Sequence, residues 1–361
     1  MANMFIVSCR KDFWSTTDFS GGLDIRDLDM TGDGSGASVT SANFLQAITG
    51  KRVMVLVHGY NNDRLDVLDS YGTIERRMRL LNFIGAGGAP YDAIVGFVWP
   101  GGAERVSFPF ARLRAGESAP HLARLLADLR GANATVDLNT HSLGAHVAFE
   151  ALRDVPANTV RTAWNFASAV DNESVEEGER YFTASQGCST FYVFHSKNDP
   201  VLRVWYRLGD FLDFDTALGY SGPEDPRSII DRAQNVRVVN CKDIVASHGG
   251  YRSSGEVWSF MAQELATPTT AQFVTLTKTT EALRAVFRVT GGTESMRMAA
   301  AASNGHGARR TAGESRKAAG ARRPGAARAA RPARGARAAA TAAGRSARAS
   351  TSSRRGSRKQ A

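Results

Sequence analysis

Thr140-His141-Ser142-Leu143-Gly144 separates two stretches of different periodicity. Ala134-Thr135-Val136-Asp137-Leu138-Asn139 reads as a short strand, and Ala145 to Leu152 reads as a helix. A serine between a strand and a helix, flanked by small residues, sits on a sharp turn that lifts its hydroxyl above the sheet edge. The turn also places it at a helix N-terminus, where backbone N–H groups stabilise a developing oxyanion. The competing reading is a structural cap, since serine is a favoured N-cap. The first position of such turns is usually glycine. Thr140 stands there instead, so the neighbouring strand must leave room for a β-branched side chain.

Working outward, Arg52 to Val57 and Ala93 to Trp99 are continuous apolar runs of the kind buried on both faces of a sheet. Met4 to Ser8, Arg161 to Ala167, Thr190 to His195 and Asn235 to Asn240 read as further strands. Helices are expected at 42–48, 67–83, 118–130 and 255–265, and a loop at Gly21 to Ser41, which is rich in Gly, Asp, Ser and Thr. Between Thr267 and Thr293 the pattern fits a hairpin or a helix equally. Apolar strands alternating with amphipathic helices predict a mainly parallel sheet with helices on both faces. In such sheets the site lies at the carboxyl ends of the strands. The segments carrying His58, Ser142 and Asp199 all begin there.

The chain has 361 residues and a formal charge of +10, unevenly spread. Residues 301–361 hold 16 of the 45 Lys and Arg but one acid, Glu314; the first 300 residues are left with 29 basic and 34 acidic groups. From about Ser295 the sequence is Ala, Arg, Gly and Ser without an apolar face, so a disordered basic tail is expected at 295–361, after a catalytic region at 1–266 and an extension at 267–294. Cys9, Cys188 and Cys241 are odd in number and show no metal-ligand spacing, which predicts free thiols in a reducing compartment. The N-terminus lacks a signal-peptide pattern, and no apolar run reaches the ~18 residues of a membrane span. A cytoplasmic location is therefore expected.

An activated serine needs a base within hydrogen-bond reach, and the base an orienting acid. Of seven histidines, His306 lies in the tail, His121 and His146 in predicted helices, and His195 on a strand. His58 belongs to the early loop, and His141 adjoins the serine and is expected to point elsewhere. His248, in Ala-Ser-His248-Gly-Gly after the last strand, is the candidate base. The acid is Asp199, with Asp243 as competitor. Asp199 is preferred because it ends the preceding strand and completes the chain order Ser, Asp, His. Its alternative reading is a turn-forming Asp before Pro200. For the oxyanion hole, the amide of Leu143 is one donor. The other is assigned to Tyr60, on the loop His58-Gly59-Tyr60, where glycine permits an unusual backbone turn.

These segments together resemble the α/β-hydrolase superfamily over roughly Met4 to Ala266. The carriers are Val-Leu-Val-His58-Gly-Tyr-Asn-Asn, Phe-Val-Trp99-Pro-Gly-Gly, Thr-His-Ser142-Leu-Gly, Ser-Lys-Asn-Asp199-Pro-Val and Ser-His248-Gly-Gly. The pairing of His-Gly-Tyr-Asn-Asn with Trp-Pro-Gly is most similar to a bacterial branch of uncharacterised serine hydrolases, lipase- or esterase-like. The resemblance implies Ser142 as nucleophile, His248 as base, Asp199 as acid, the Tyr60 and Leu143 amides as oxyanion hole, a small-molecule ester as substrate and no cofactor. Trp205, Tyr206, Phe211 and Phe214, after the acid, are candidates for an acyl pocket or for ordinary packing. The rival reading is an inactive scaffold whose basic tail, residues 301–361, binds nucleic acid or another polyanion through phosphate contacts without sequence readout.

Overall fold

The computed structural model describes residues 4–28, 36–85, 87–102, 108–208 and 216–278. The expected disorder of 295–361 lies outside the described residues, as do Phe211, Phe214 and the side chains of Trp205 and Tyr206.

The N-terminal half runs β1 (Met4–Arg10), β2 (Phe19–Asp27), β3 (Ala37–Ser38), α1 (Ser41–Ile48), β4 (Arg52–Val57), α2 (Arg64–Leu80), β5 (Ala93–Val98) and α3 (Phe108–Gly131). There follow β6 (Thr135–His141), α4 (Gly144–Arg153), β7 (Val160–Phe166), α5 (Phe182–Gln186), β8 (Cys188–His195) and α6 (Pro200–Leu208). The last elements are α7 (Leu218–Ser221), α8 (Pro226–Arg232), β9 (Val236–Asn240), α9 (Gly255–Ala266) and β10 (Phe273–Thr275).

The ten strands form one sheet in the order β10-β9-β8-β7-β6-β4-β5-β1-β2-β3. Neighbours are parallel except for β1–β2 and β2–β3. This is the α/β-hydrolase architecture. The path β4–α2–β5 steps one way along the sheet, and β5–α3–β6 and β6–α4–β7 step back. Right-handed crossovers then put α2 and the α3–α4 pair on opposite faces. Both faces of the central strands are therefore covered, which is why β4 and β5 read as largely apolar runs.

Gly96 interrupts that apolar run for a packing reason. A Cβ there would come within 2.6 Å of the Tyr71 ring on α2. Tyr71 in turn ties the carboxyl ends of β4 and β5 together: its hydroxyl accepts the His58 N–H at 3.0 Å and donates to the Phe97 carbonyl at 2.6 Å.

Three expectations change. The stretch at Gly21–Ser41, expected as a loop, holds most of β2 and all of β3, antiparallel at the sheet edge. Only Ile25 in β2 is fully buried, so this strand carries no apolar run to reveal it. Helix α3 begins ten residues before Ser118, at Phe108, and continues through Pro120. The segment after α9 is neither hairpin nor helix where it is described. Phe273–Thr275 pairs parallel with β9 and extends the sheet, whereas Ala285 to Thr290 lies outside the described residues.

Candidate active site

The parallel strands bring their carboxyl ends to one edge. Along it, neighbouring strands β1, β5, β4 and β6 lead into Arg10, Trp99, His58 and Ser142. Farther along, β8 and β9 lead into the turns carrying Asp199 and His248.

Ser142 sits between β6 and α4 with φ 56°, a left-handed conformation that costs a non-glycine residue of order 1–3 kcal/mol. Three hydrogen bonds hold it there. Its N–H donates to Phe166 O at 3.0 Å, and its carbonyl accepts from Ala145 N at 3.0 Å and Ala169 N at 3.2 Å. Helix α4 starts without a side-chain cap, so Ser142 is not spent as one, and the first amides of the helix face the turn. Thr140 fits because its partner on β7 is polar: Thr140 Oγ1 donates to Asn165 Oδ1 at 2.8 Å, and Asn165 Nδ2 donates to Tyr192 O at 2.9 Å. The tight contact of this turn falls elsewhere. A Cβ on Gly144 would overlap the Val57 and His58 carbonyl oxygens.

Gly59 has a similar constraint. It is absent from the residues with positive φ, so backbone freedom is not why glycine stands there; the positive φ falls at Asn61, at 56°. A Cβ on Gly59 would lie 2.9 Å from Ser142 Cβ and 3.1 Å from the His141 carbonyl. The loop bearing Tyr60 thus runs directly against the serine. Gly59→Ala is expected to force the loop off Ser142. A misplacement of about 1 Å costs about 10²-fold in turnover, and the crowding costs about 1–3 kcal/mol of stability. Steady-state ester kinetics and urea unfolding of the variant check both. Wild-type turnover in Gly59→Ala would show that the loop yields without consequence.

His248 and Asp199 meet. His248 Nδ1 lies 2.7 Å from Asp199 Oδ2, with the carboxylate wholly buried. The other oxygen, Oδ1, accepts the N–H groups of Val201 at 2.9 Å and Leu202 at 3.1 Å, capping α6, with Pro200 as the first residue of that helix. Asp199 thus both caps the start of α6 and contacts His248. Asp243 is exposed, beyond β9. Among the described residues, no hydrogen bond joins the Ser142 hydroxyl to His248.

His141 does not point away from the site. Its ring packs on His248 with centroids 4.6 Å apart, and its Nε2–H donates to the His248 carbonyl at 2.9 Å. Burial, followed by the His248 and Arg252 charges, drives His141 well below the ordinary histidine range, so it stays neutral. Burial and the Arg10 charge do the same to His58. Its Nδ1–H donates to Gly59 O at 2.8 Å and its Nε2 accepts from Trp99 N–H at 3.2 Å, leaving it no part as a base. His146, lowered to about 4 by burial, is committed to the Tyr181 hydroxyl at 3.0 Å.

A pocket lined by Val57, Tyr71, His141, Phe166, Trp258 and Met261 opens between α2 and α9. Ser142, Asp199 and His248 are not in its lining, although His58 and His141 are. All three cysteines are buried free thiols, pushed up by burial to about 12 at Cys9 and higher at the others. Among the described residues, no group of three or more His, Cys, Asp or Glu is arranged to hold a metal, and no helix is long and apolar enough to cross a membrane.

No curated protein matches the chain significantly. Among solved structures, phospholipase PlaB from Legionella pneumophila, in complex with thio-NAD, is similar at 14% identity and a TM-score of 0.27 over 54% of this chain. The matched part spans only 38% of PlaB, and a similarity this distant carries no argument about activity. Residues 37–248, more than half of the chain, match the family described as alpha/beta hydrolase of unknown function (DUF900), and the chain belongs to that family.

Proposed function

We propose that this protein is a serine hydrolase that cleaves carboxylic esters through an acyl-enzyme, with Ser142 as nucleophile, His248 as base and Asp199 as orienting acid. The observation that carries the reading is the 2.7 Å His248–Asp199 contact on the same sheet edge as a serine held at φ 56°. A buried carboxylate on Nδ1 selects the tautomer whose Nε2 is an acceptor. That nitrogen takes the Ser142 proton as Oγ bonds to the ester carbonyl carbon. The carbonyl electron pair moves onto oxygen, where the Leu143 and Tyr60 amides receive it. Collapse breaks the bond to the alkoxide, which takes the proton from His248. Water then attacks the acyl group with His248 again as base, and a second collapse releases the acid and restores Ser142. The test is a fluorophosphonate probe on the intact chain. The expected result is a single adduct on the Ser142 peptide, suppressed by a short-chain ester. Folded protein that takes up no probe would refute the reading.

The charge of residues 301–361 supports a second, separable activity. Deleting them turns the formal charge from +10 to −5. Ester hydrolysis should be nearly unchanged, and any DNA or RNA affinity of the full chain should be lost. That affinity should fall steeply with salt, because arginine–phosphate contacts release counterions. Binding and esterase rates of both forms at two salt concentrations decide it; salt-insensitive binding by the shortened chain would contradict the assignment.

A further inference from the structure

Arg10 closes β1, a strand otherwise built of Met4-Phe-Ile-Val-Ser-Cys9 and buried throughout. Its side chain is 0% exposed. A buried guanidinium costs several kcal/mol unless its charge and donors are matched. No carboxylate is bonded to it among the described residues, and its Nη1 has no partner there. Burial lowers it to about 10, which still leaves it charged at neutral pH.

Its other donors reach backbone and ring atoms of the two loops that follow β4 and β5. Nε donates to the Trp99 carbonyl at 2.8 Å, and Nη2 donates to the Asn62 carbonyl at 2.7 Å and lies 3.3 Å from His58 Nε2. Trp99 and His58 are themselves locked. Their rings stack at 5.4 Å and 8°, Trp99 N–H donates to His58 Nε2 at 3.2 Å, and Trp99 Nε1–H donates to His58 O at 2.8 Å. Asn61 N–H donates to Gly101 O at 3.3 Å, completing the attachment of one loop to the other. The segment held at both ends, His58 to Asn62, is the one whose Gly59 abuts Ser142.

We propose that Arg10 is a positioning residue that fixes the oxyanion-hole loop His58–Asn62 against Ser142, acting through Trp99 and His58. The planar fork of a guanidinium reaches three acceptors in fixed directions, which a lysine ammonium at the same site does not reproduce. A polar clamp at this place has a catalytic reason. An oxyanion hole stabilises charge only if its donors are already aimed when charge develops, so loosening the loop weakens the transition state more than the bound ester. The kinetic part of the proposal rests on the serine-hydrolase reading; the structural part does not.

The experiment compares full-length wild type, Arg10→Lys and Trp99→Phe. Trp99→Phe keeps a stacking ring, removes the Nε1–H bond to His58 together with part of the buried indole's packing, and serves if Arg10→Lys does not fold. Hydrogen exchange of the 58–62 amides is measured first, and at least a tenfold rise over wild type is expected in either variant, with exchange in β7 and β8 unchanged. Kinetics with a short p-nitrophenyl ester follow, normalised to active sites by fluorophosphonate titration. Turnover should fall about 10–10²-fold with KM within about threefold, the acidic limb of the pH profile unmoved, and affinity for a trifluoromethyl ketone reduced by the same factor as kcat/KM. Unchanged exchange at 58–62 overturns the proposal whether or not the protein is an esterase. Raised exchange with turnover per active site unaltered also overturns it. A wild type that neither hydrolyses esters nor takes up the probe removes the esterase reading and leaves the clamp to be judged on exchange alone.

Discussion

Ser142→Ala is expected to abolish ester hydrolysis, lowering turnover on the order of 10⁴–10⁶-fold. Without Oγ no acyl-enzyme forms, and what remains is attack by water at a carbonyl polarised by the Leu143 and Tyr60 amides. The fold should be untouched, because among the described residues no hydrogen bond depends on the Ser142 hydroxyl; its backbone bonds to Phe166, Ala145 and Ala169 remain. A second substitution separates chemistry from architecture. Ser142→Gly should be as inactive as the alanine variant yet more stable by ~1 kcal/mol, since glycine adopts φ 56° without the strain that serine bears. Loss of activity with gain of stability is the mark of strain kept for function. Esterase rates and urea unfolding of the three proteins provide the measurement. Undiminished hydrolysis by Ser142→Ala would remove the nucleophile assignment, and a glycine variant less stable than wild type would show that the turn is not strained.

The central sheet was legible because its strands are buried on both faces, and a run such as Arg52 to Val57 admits few other readings. The edge was not: β2, Phe-Ser-Gly-Gly-Leu-Asp-Ile-Arg-Asp, has the composition of a turn and becomes a strand only by pairing with β1. The first turns of α3 were not read, because the expected helix began only at Ser118; the preceding turns from Phe108 are anchored by Ala111 and Ala115 in the core, and the helix runs through Pro120 with Leu122 and Leu126 packed on the same side. At the site, the residue types and the order Ser142, Asp199, His248 were readable, and the through-space partners were not. Asn165, which makes room for Thr140, lies on the next strand. The contact of His141 with the His248 loop depends on where that loop returns. For Arg10 no distinct signal was present, since it is the first of three consecutive charged residues, Arg10-Lys11-Asp12, after an apolar run; its burial and role required the positions of Trp99 and Asn62.

Asp199→Asn is expected to cost on the order of 10⁴-fold in turnover while leaving the protein folded. The two carboxylate oxygens have separate duties, and the substitution splits them. An asparagine oxygen in place of Oδ1 still accepts from Val201 and Leu202, so the start of α6 keeps its cap. The amide nitrogen then occupies the place of Oδ2, 2.7 Å from His248 Nδ1, where two N–H groups would collide. The imidazole resolves the conflict by moving its proton to Nε2, leaving no acceptor for the Ser142 proton. The prediction is therefore a histidine in the wrong tautomer inside an intact site. Asp243→Asn should change turnover less than about twofold, because that carboxylate is exposed and makes no bond to His248. Ester kinetics of both variants, with Nδ1 and Nε2 of His248 distinguished by nitrogen-15 NMR, check the chain of cause. An active Asp199→Asn beside an inactive Asp243→Asn would reverse the acid assignment. An inactive Asp199→Asn whose His248 still carries its proton on Nδ1 would mean that the carboxylate charge, not the tautomer it enforces, is what the reaction needs.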